Sequence, residues 1–168
     1  MDVAALLTES FGRIPDLARR AVTGLTVDQL VARPGPDANP IAWLVWHLAR
    51  VQDAQVAELV PADQVWVTGD WATGVGLDPD PGNTGYGHSS VEVATVRPRD
   101  GRALLDYLDA VAARSTAFVA GLDADALDRV VDRRWDPPVT LGVRLVSVVD
   151  DCVQHAGQAA YARGLLGA

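Results

Sequence analysis

Apolar residues recur every three or four positions in four separate segments, and this periodicity constrains the fold more than any other feature of the sequence. The four segments are 2–23, 40–59, 100–121 and 141–164. Side chains at this spacing lie along one face of an α-helix, and such a face needs a partner to bury it. The sequence therefore predicts an all-α fold, a four-helix bundle in which every helix contributes one face to a shared core.

The length of the chain predicts one domain, because 168 residues are enough for one sizeable core and too few for two. We therefore expect a single helical bundle domain over residues 1–168. Residues 61–98 lose the helical spacing and contain many glycines and prolines, which predicts a long irregular insertion between the second and third helices. Because the insertion carries Trp66, Trp71 and Tyr86, we expect it to be ordered, to fold over one end of the bundle and to help line a site.

Residues with known preferences for helix ends mark the expected boundaries. Asn39 is the predicted N-cap of the second helix, with Pro40 as its first helical residue. Asp100 is the predicted N-cap of the third helix, and Gly164 is predicted to end the fourth. Pro15 lies inside the first helix and lacks a backbone N–H, so we expect a kink or a break just before it.

The charge of the chain bears on its partners. Acidic residues outnumber basic ones by 22 to 14, which gives a formal net charge of −8. Nucleic-acid binding rests on clustered positive charge, so we expect no nucleic-acid partner. All of the basic residues are Arg and none is Lys, a bias typical of high-GC bacterial genomes such as those of actinobacteria.

No segment of the sequence has the pattern of a membrane span or of a secretion signal. The first residues lack a basic stretch followed by an apolar one, and no uninterrupted run reaches the ~18 apolar residues of a spanning helix. We therefore expect a cytoplasmic protein with no membrane partner. The single Cys152 cannot form an intramolecular disulfide, in agreement with a reducing compartment, and its expected role is that of a small core residue.

Two residues of the last predicted helix have the chemistry of metal ligands. Asp151 and His155 are four apart and therefore lie on one face of that helix. His47 is the only other histidine within a strongly apolar helical segment. Three nitrogen and oxygen ligands with a fourth position open to water or substrate are typical of a catalytic zinc site, and the same donors suit manganese, iron or nickel. The alternative is that these side chains are hydrogen-bonded core residues without a metal.

Other residues are candidates for contacts with the metal ligands or with a substrate. Gln158, one turn beyond His155, and Asp150 are candidate hydrogen-bond partners of the ligands. His88, in the insertion, is either a surface residue or a residue facing the site.

Three further candidates lie in the second helix and the insertion. Arg50, one turn past His47, is either an exposed helix charge or a partner for a carboxylate of cofactor or substrate. Trp43 and Tyr86 are candidate contacts of the ligands or of a substrate.

Two motifs carry a resemblance to a known family. The sequence Trp-Leu-Val-Trp-His-Leu-Ala-Arg at 43–50 and the sequence His-Ala-Gly-Gln at 155–158 resemble the DinB/YfiT-like superfamily of four-helix metalloproteins. The resemblance implies a divalent metal, often zinc or nickel, held by one histidine of the second helix and two residues four apart on the last. By position these are His47, Asp151 and His155. The commonest form of the pattern has histidine at the position of Asp151, and a carboxylate there is similar to the mycothiol-dependent maleylpyruvate isomerase branch.

The resemblance implies two classes of function. The first is a metal-dependent S-transferase or isomerase that uses a low-molecular-weight thiol, such as mycothiol, bacillithiol or glutathione, together with an electrophilic substrate. The composition makes mycothiol the first thiol to test. The second is a non-catalytic metal-binding or stress-response protein whose metal is structural or vestigial. An open coordination position facing a cavity favours catalysis, whereas a closed site favours a structural role. A homodimer is a further expectation.

Overall fold

Four long helices form the body of the protein in the computed structural model, which describes residues 1–168. They are α1 (Val3–Val22), α3 (Ile41–Ala57), α7 (Gly101–Val119) and α8 (Leu141–Leu165), and the short helix α2 (Val27–Val31) follows α1. The predicted all-α fold is confirmed. None of the helices combines the length and the apolar composition that a bilayer crossing requires.

The core lies between the four long helices. α8 packs against both α3 and α1, and α7 packs against the other sides of the same two helices. Fully buried side chains come from all four: Phe11 and Ile14 of α1, Leu48 of α3, Leu108 of α7 and Leu145 of α8. Burial of each such side chain contributes about 1.5–3 kcal/mol, so the shared core holds the bundle together.

Side chains cap the starts of α2, α7 and α8, among other helices. Asp100 accepts a hydrogen bond from the backbone N–H of Ala103 (2.8 Å), as the sequence predicts. Thr26 and Gln29 form a reciprocal capping box that satisfies two backbone donors of α2. Thr140 caps α8.

Two predicted helix ends are displaced. The N-cap position of α3 is Pro40, with extended backbone and no side-chain cap, so the assignment of Asn39 to this position was wrong. The last helix continues through Gly164. It ends at Leu165, and a Schellman motif follows it: Gly167 has a φ of 66° and its N–H donates to the carbonyl of Gly164, while the Ala168 N–H donates to the carbonyl of Arg163.

The first helix runs through Pro15 without a break. Pro15 still removes one backbone donor. Buried side chains on both sides of it, Phe11 and Ile14 before and Ala18 and Val22 after, all pack into the core. Their packing holds the two halves of α1 in one helix, so the predicted break does not occur.

The insertion contains three single-turn helices: α4 (Val65–Thr68), α5 (Trp71–Gly74) and α6 (Ser90–Val93). Trp66 is fully buried. Its ring lies 6.2 Å from that of Trp46 and 5.1 Å from that of Tyr107, measured between centroids. The insertion is therefore ordered, as expected, and it is anchored in the core by an aromatic cluster.

A small hairpin was not predicted. After a 3₁₀ turn (Asp125–Asp128), strand β1 (Val130–Asp132) pairs antiparallel with β2 (Val139–Thr140), which leads directly into α8. The valines on either side of a Pro-containing loop are a weak strand signal.

A network of buried charges joins α3, α7 and the insertion. Asp53 is fully buried and accepts hydrogen bonds from the Tyr107 hydroxyl (2.8 Å) and from the backbone N–H groups of Val65 and Trp66. It also forms ion pairs with Arg50 and Arg114. One carboxylate therefore pairs with two arginines and accepts from the first two backbone N–H groups of α4.

We expect Asp53→Ala to lower the free energy of unfolding by about 3–5 kcal/mol, because it leaves the buried Arg50 without its counter-charge. The matched control is Asp109→Ala, which removes an exposed pair with Arg19 and should cost less than about 1 kcal/mol. Urea unfolding of both variants measures the difference. Equal losses of unfolding free energy in the two variants would show that the buried network contributes no more than an exposed ion pair.

Candidate metal centre

The packing of α3 on α8 brings together the three residues with ligand chemistry. His47 lies on α3, and Asp151 and His155 lie one turn apart on α8. One ligand atom of each lies within 4.8 Å of the others. The two imidazole rings are 4.7 Å apart between centroids, and His155 Nε2 lies 3.6 Å from Asp151 Oδ1. The cluster is the one group of this kind in the chain.

Thr84 of the insertion orients His47. The Nδ1 atom of His47 lies 2.6 Å from the Thr84 carbonyl oxygen. Because a carbonyl can only accept, Nδ1 carries the proton and Nε2 keeps the lone pair that a metal needs. Burial lowers the pKa of His47, and the neighbouring His155 lowers it further, against the effect of the Thr84 bond. The ring is therefore held neutral, in the tautomer of a ligand.

Gln158 supports His155 in the same way. Its Oε1 lies 3.0 Å from Nδ1 of His155, so that nitrogen donates and Nε2 faces Asp151 with a free lone pair. Gln158 thus lies where the sequence places a hydrogen-bond partner for the ligand.

Asp151 has a buried oxygen without a partner. No hydrogen bond reaches its Oδ2. A buried acceptor that lacks a donor costs about 1–3 kcal/mol, and more when it is charged. A divalent cation would satisfy this oxygen, so the residues present fit a metal. Two neutral imidazoles and one carboxylate would leave such a cation with one net positive charge, which favours an anionic further ligand.

Trp43 and His88 fix the plane of the His47 ring. Trp43 stacks on His47 with centroids 4.5 Å apart and an angle of 14° between the planes. Its Nε1 donates to Nδ1 of His88 (3.2 Å), and His88 Nε2 in turn donates to Asn83 Oδ1 (2.9 Å). His88 is half-buried and acts on the cluster through Trp43 rather than as a ligand.

Gly85 allows the backbone of the insertion to lie directly against the His47 ring. Its φ is 89°, and a Cβ atom there would lie 2.7 Å from Nδ1 of His47. The position therefore requires glycine for both conformation and space. The contributions of Thr84 and Gly85 were not predicted, and only the glycine-flanked run around Tyr86 signals them in the sequence.

Two candidates lie elsewhere. Arg50 is fully buried and bonded to protein groups, so it is neither an exposed charge nor available to a substrate, and both expectations for it were wrong. Asp150 accepts from Gln154 Nε2 (2.7 Å) on the exposed side of α8, because one residue along a helix turns a side chain by about 100° away from Asp151.

Cys152 is a core residue, as expected. It is fully buried, and its Sγ lies 3.5 Å from the Leu48 carbonyl oxygen. Burial raises the pKa of its thiol far above the usual range, so it supplies no thiolate at neutral pH.

A cavity of about 560 Å³ opens on the cluster. It begins at His47 and Asp151 and extends to the β-hairpin. Tyr86 and Trp135, which are 92 % and 67 % exposed, stand at its edge. The rest of the lining comes from the hairpin and from α3 and α8, and includes Val51, Ala54, Arg134, Arg144, Ser147 and Val148.

Of the three aromatic residues expected to line the site, Tyr86 alone does so. Trp66 is in the core, and Trp71 faces a different depression beside α7. The hairpin residues Arg134 and Trp135 were not predicted to belong to the site, because nothing in the sequence brings residues before α8 back towards α3.

Comparison with known proteins decides the family. The model of the DinB superfamily matches residues 10–159. The chain belongs to the DinB superfamily. The resemblance in the two histidine motifs is therefore confirmed, and His47 and His155 both lie within the matched range.

The fold of this DinB-superfamily chain is similar to a crystal structure of a conserved protein from Enterococcus faecalis. The two sequences are 34 % identical, the TM-score is 0.90, and the match covers 99 % of this chain and 98 % of that chain. Among curated proteins, none matches the chain in sequence.

We expect Asp151→Asn to lower zinc affinity by more than the roughly 10- to 100-fold that loss of a ligand's supporting hydrogen bond costs. The neighbouring Asp150→Asn removes the same charge outside the cluster and should leave zinc affinity unchanged. Calorimetric titration of the untagged protein measures both. Equal affinities in the two variants would remove Asp151 from the ligand set.

The lowered pKa of His47 predicts how the metal-free protein responds to pH. The unfolded chain takes up a proton at a pKa of about 6.5, which the folded state resists. The free energy of unfolding should therefore fall as the pH drops below 7. His47→Gln should flatten this part of the profile, as measured by urea unfolding in the presence of a chelator. Parallel pH profiles for the wild-type protein and His47→Gln would contradict the lowered pKa of His47.

Proposed function

We propose that this DinB-superfamily chain is a divalent-metal-dependent enzyme that uses a low-molecular-weight thiol, as an S-transferase or an isomerase. The observation that carries the proposal is the cavity that opens on His47 and Asp151. A structural metal site is closed by protein ligands, whereas a catalytic one keeps a position for substrate. Here three ligands meet at the end of a cavity whose volume is typical of small-molecule sites, about 300–1,000 Å³.

The donor set is consistent with zinc, and nickel, iron and manganese also accept two imidazoles and a carboxylate. His47, Asp151 and His155 would hold the cation. Bound there, it would lower the pKa of a coordinated thiol, so that thiolate is available at neutral pH. Thr84 and Gln158 hold the two ring Nδ1 protons, which keeps both Nε2 atoms free for the cation.

The chain has no sulfur nucleophile of its own for this chemistry. Its only cysteine, Cys152, is buried beneath the site with a raised pKa. A nucleophilic thiol therefore has to come from a small molecule, and we propose mycothiol as the first candidate because of the composition of the chain.

The walls of the cavity suit two partners of different polarity. Val51, Ala54 and Val148 offer apolar surface close to the cluster. Arg134 and Arg144 at the hairpin end are paired with Asp132, and Arg144 also pairs with Glu58, which leaves that end polar and close to neutral. We propose that a thiol and an electrophilic substrate share this space.

A variant that fills the cavity tests the proposal. Ser147 lines the cavity one turn before Asp151, whereas its exposed neighbour Val146 does not. In zinc-loaded protein, Ser147→Trp should abolish thiol binding and keep the metal, and Val146→Trp should keep both. Calorimetry with mycothiol, bacillithiol and glutathione measures the binding, and conjugation to a general electrophile measures the activity.

A zinc-loaded protein that neither binds nor conjugates any of the three thiols would contradict the enzyme proposal. It would favour the alternative, a metal-binding protein without catalytic activity. Thiol binding that Ser147→Trp does not alter would place the thiol outside this cavity.

A further inference from the structure

Arg50 is a fully buried charge whose guanidinium has five hydrogen-bond partners. Burial of an arginine is costly unless its donors are all used. The guanidinium donates to Asp53 (3.3 Å), the Tyr107 hydroxyl (3.1 Å), Gln64 Oε1 (2.8 Å), Asn83 O (3.0 Å) and Pro81 O (3.0 Å). Two of these five acceptors are backbone carbonyls of the insertion.

The stretch of backbone held by Arg50 leads directly into the cluster. Asn83, whose carbonyl accepts from Nε of Arg50, is followed by Thr84, whose carbonyl accepts from Nδ1 of His47. His47 and Arg50 lie one turn apart on α3. The same rigid helix thus presents a metal-ligand candidate and the group that anchors its hydrogen-bond partner.

We propose that Arg50 is a positioning residue for His47. It fixes the backbone of 81–84 so that the Thr84 carbonyl holds the His47 ring with Nε2 towards Asp151 and His155. The inference rests on the proposed metal site and goes one step beyond it. It says that the orientation of His47 depends on a buried residue that touches neither the metal position nor the cavity.

Arg114 is the control that distinguishes a positioning role of Arg50 from a general contribution to stability. Arg114 pairs with the same Asp53 and donates to the carbonyl of Asp63, but it has no bond to 81–84. Two arginines therefore share one carboxylate, and only Arg50 reaches the segment next to His47. Lysine at either position keeps the charge, but its single nitrogen cannot reproduce a guanidinium that bonds separated acceptors.

The test is cobalt binding by the full chain, followed through the visible absorption of the bound ion and through competition with a chelator. Arg50→Lys should lower cobalt affinity by about 10-fold or more and change the absorption spectrum, because the loss of a ligand's hydrogen-bond support costs this much. Arg114→Lys should lower the thermal midpoint but leave the affinity and the spectrum unchanged.

A second variant covers the case in which Arg50→Lys fails to fold. One glycine inserted between Pro81 and Gly82 displaces the carbonyls from Arg50 and leaves the core sequence intact, and surface loops tolerate such insertions. It should lower cobalt affinity as Arg50→Lys does. Unchanged affinity and spectrum in a folded Arg50→Lys protein, or in the insertion variant if Arg50→Lys does not fold, would overturn the inference. A wild-type protein that binds no cobalt would instead refute the proposed metal site.

Discussion

The close approach of α3 and α8 is the interaction on which the site depends. Small side chains permit it: Cys152 and Ala156 are buried on the face of α8 that meets α3, and Cys152 Sγ reaches the backbone of Leu48. At one side of this contact, His47 faces Asp151 and His155 across the two helices. Larger residues at 152 or 156 would push the helices apart and separate the ligands, because packed interiors have little spare volume.

The insertion contributes the remaining parts of the candidate site. The helices bring three candidate ligand side chains together, but the insertion provides the carbonyl that selects the His47 tautomer and the histidine that fixes Trp43. It also contributes Tyr86 to the edge of the cavity. The hairpin before α8 forms the opposite wall. The candidate site therefore lies where the four-helix bundle meets the insertion and the hairpin. In such an arrangement the loops can vary while the helices keep the three candidate ligands in place.

The sequence predicts those parts of the protein that depend on local periodicity. The four long helices and their order follow from the apolar spacing within each segment. The pairing of Asp151 with His155 follows from their spacing of four along one helix. The expectations for Arg50 were wrong because two of its acceptors are backbone carbonyls from 81–83, which no helical pattern reveals. Thr84 was missed for the same reason: any residue type has a carbonyl, and only the fold decides which one faces a histidine.

X-ray absorption at the zinc edge tests whether His47, Asp151 and His155 hold one divalent cation. For protein loaded with one equivalent of zinc, we predict nitrogen and oxygen scatterers at about 2.0–2.2 Å, with the multiple scattering typical of two imidazoles. A sulfur scatterer at about 2.3 Å, or a spectrum without imidazole scattering, would contradict zinc binding by these three residues.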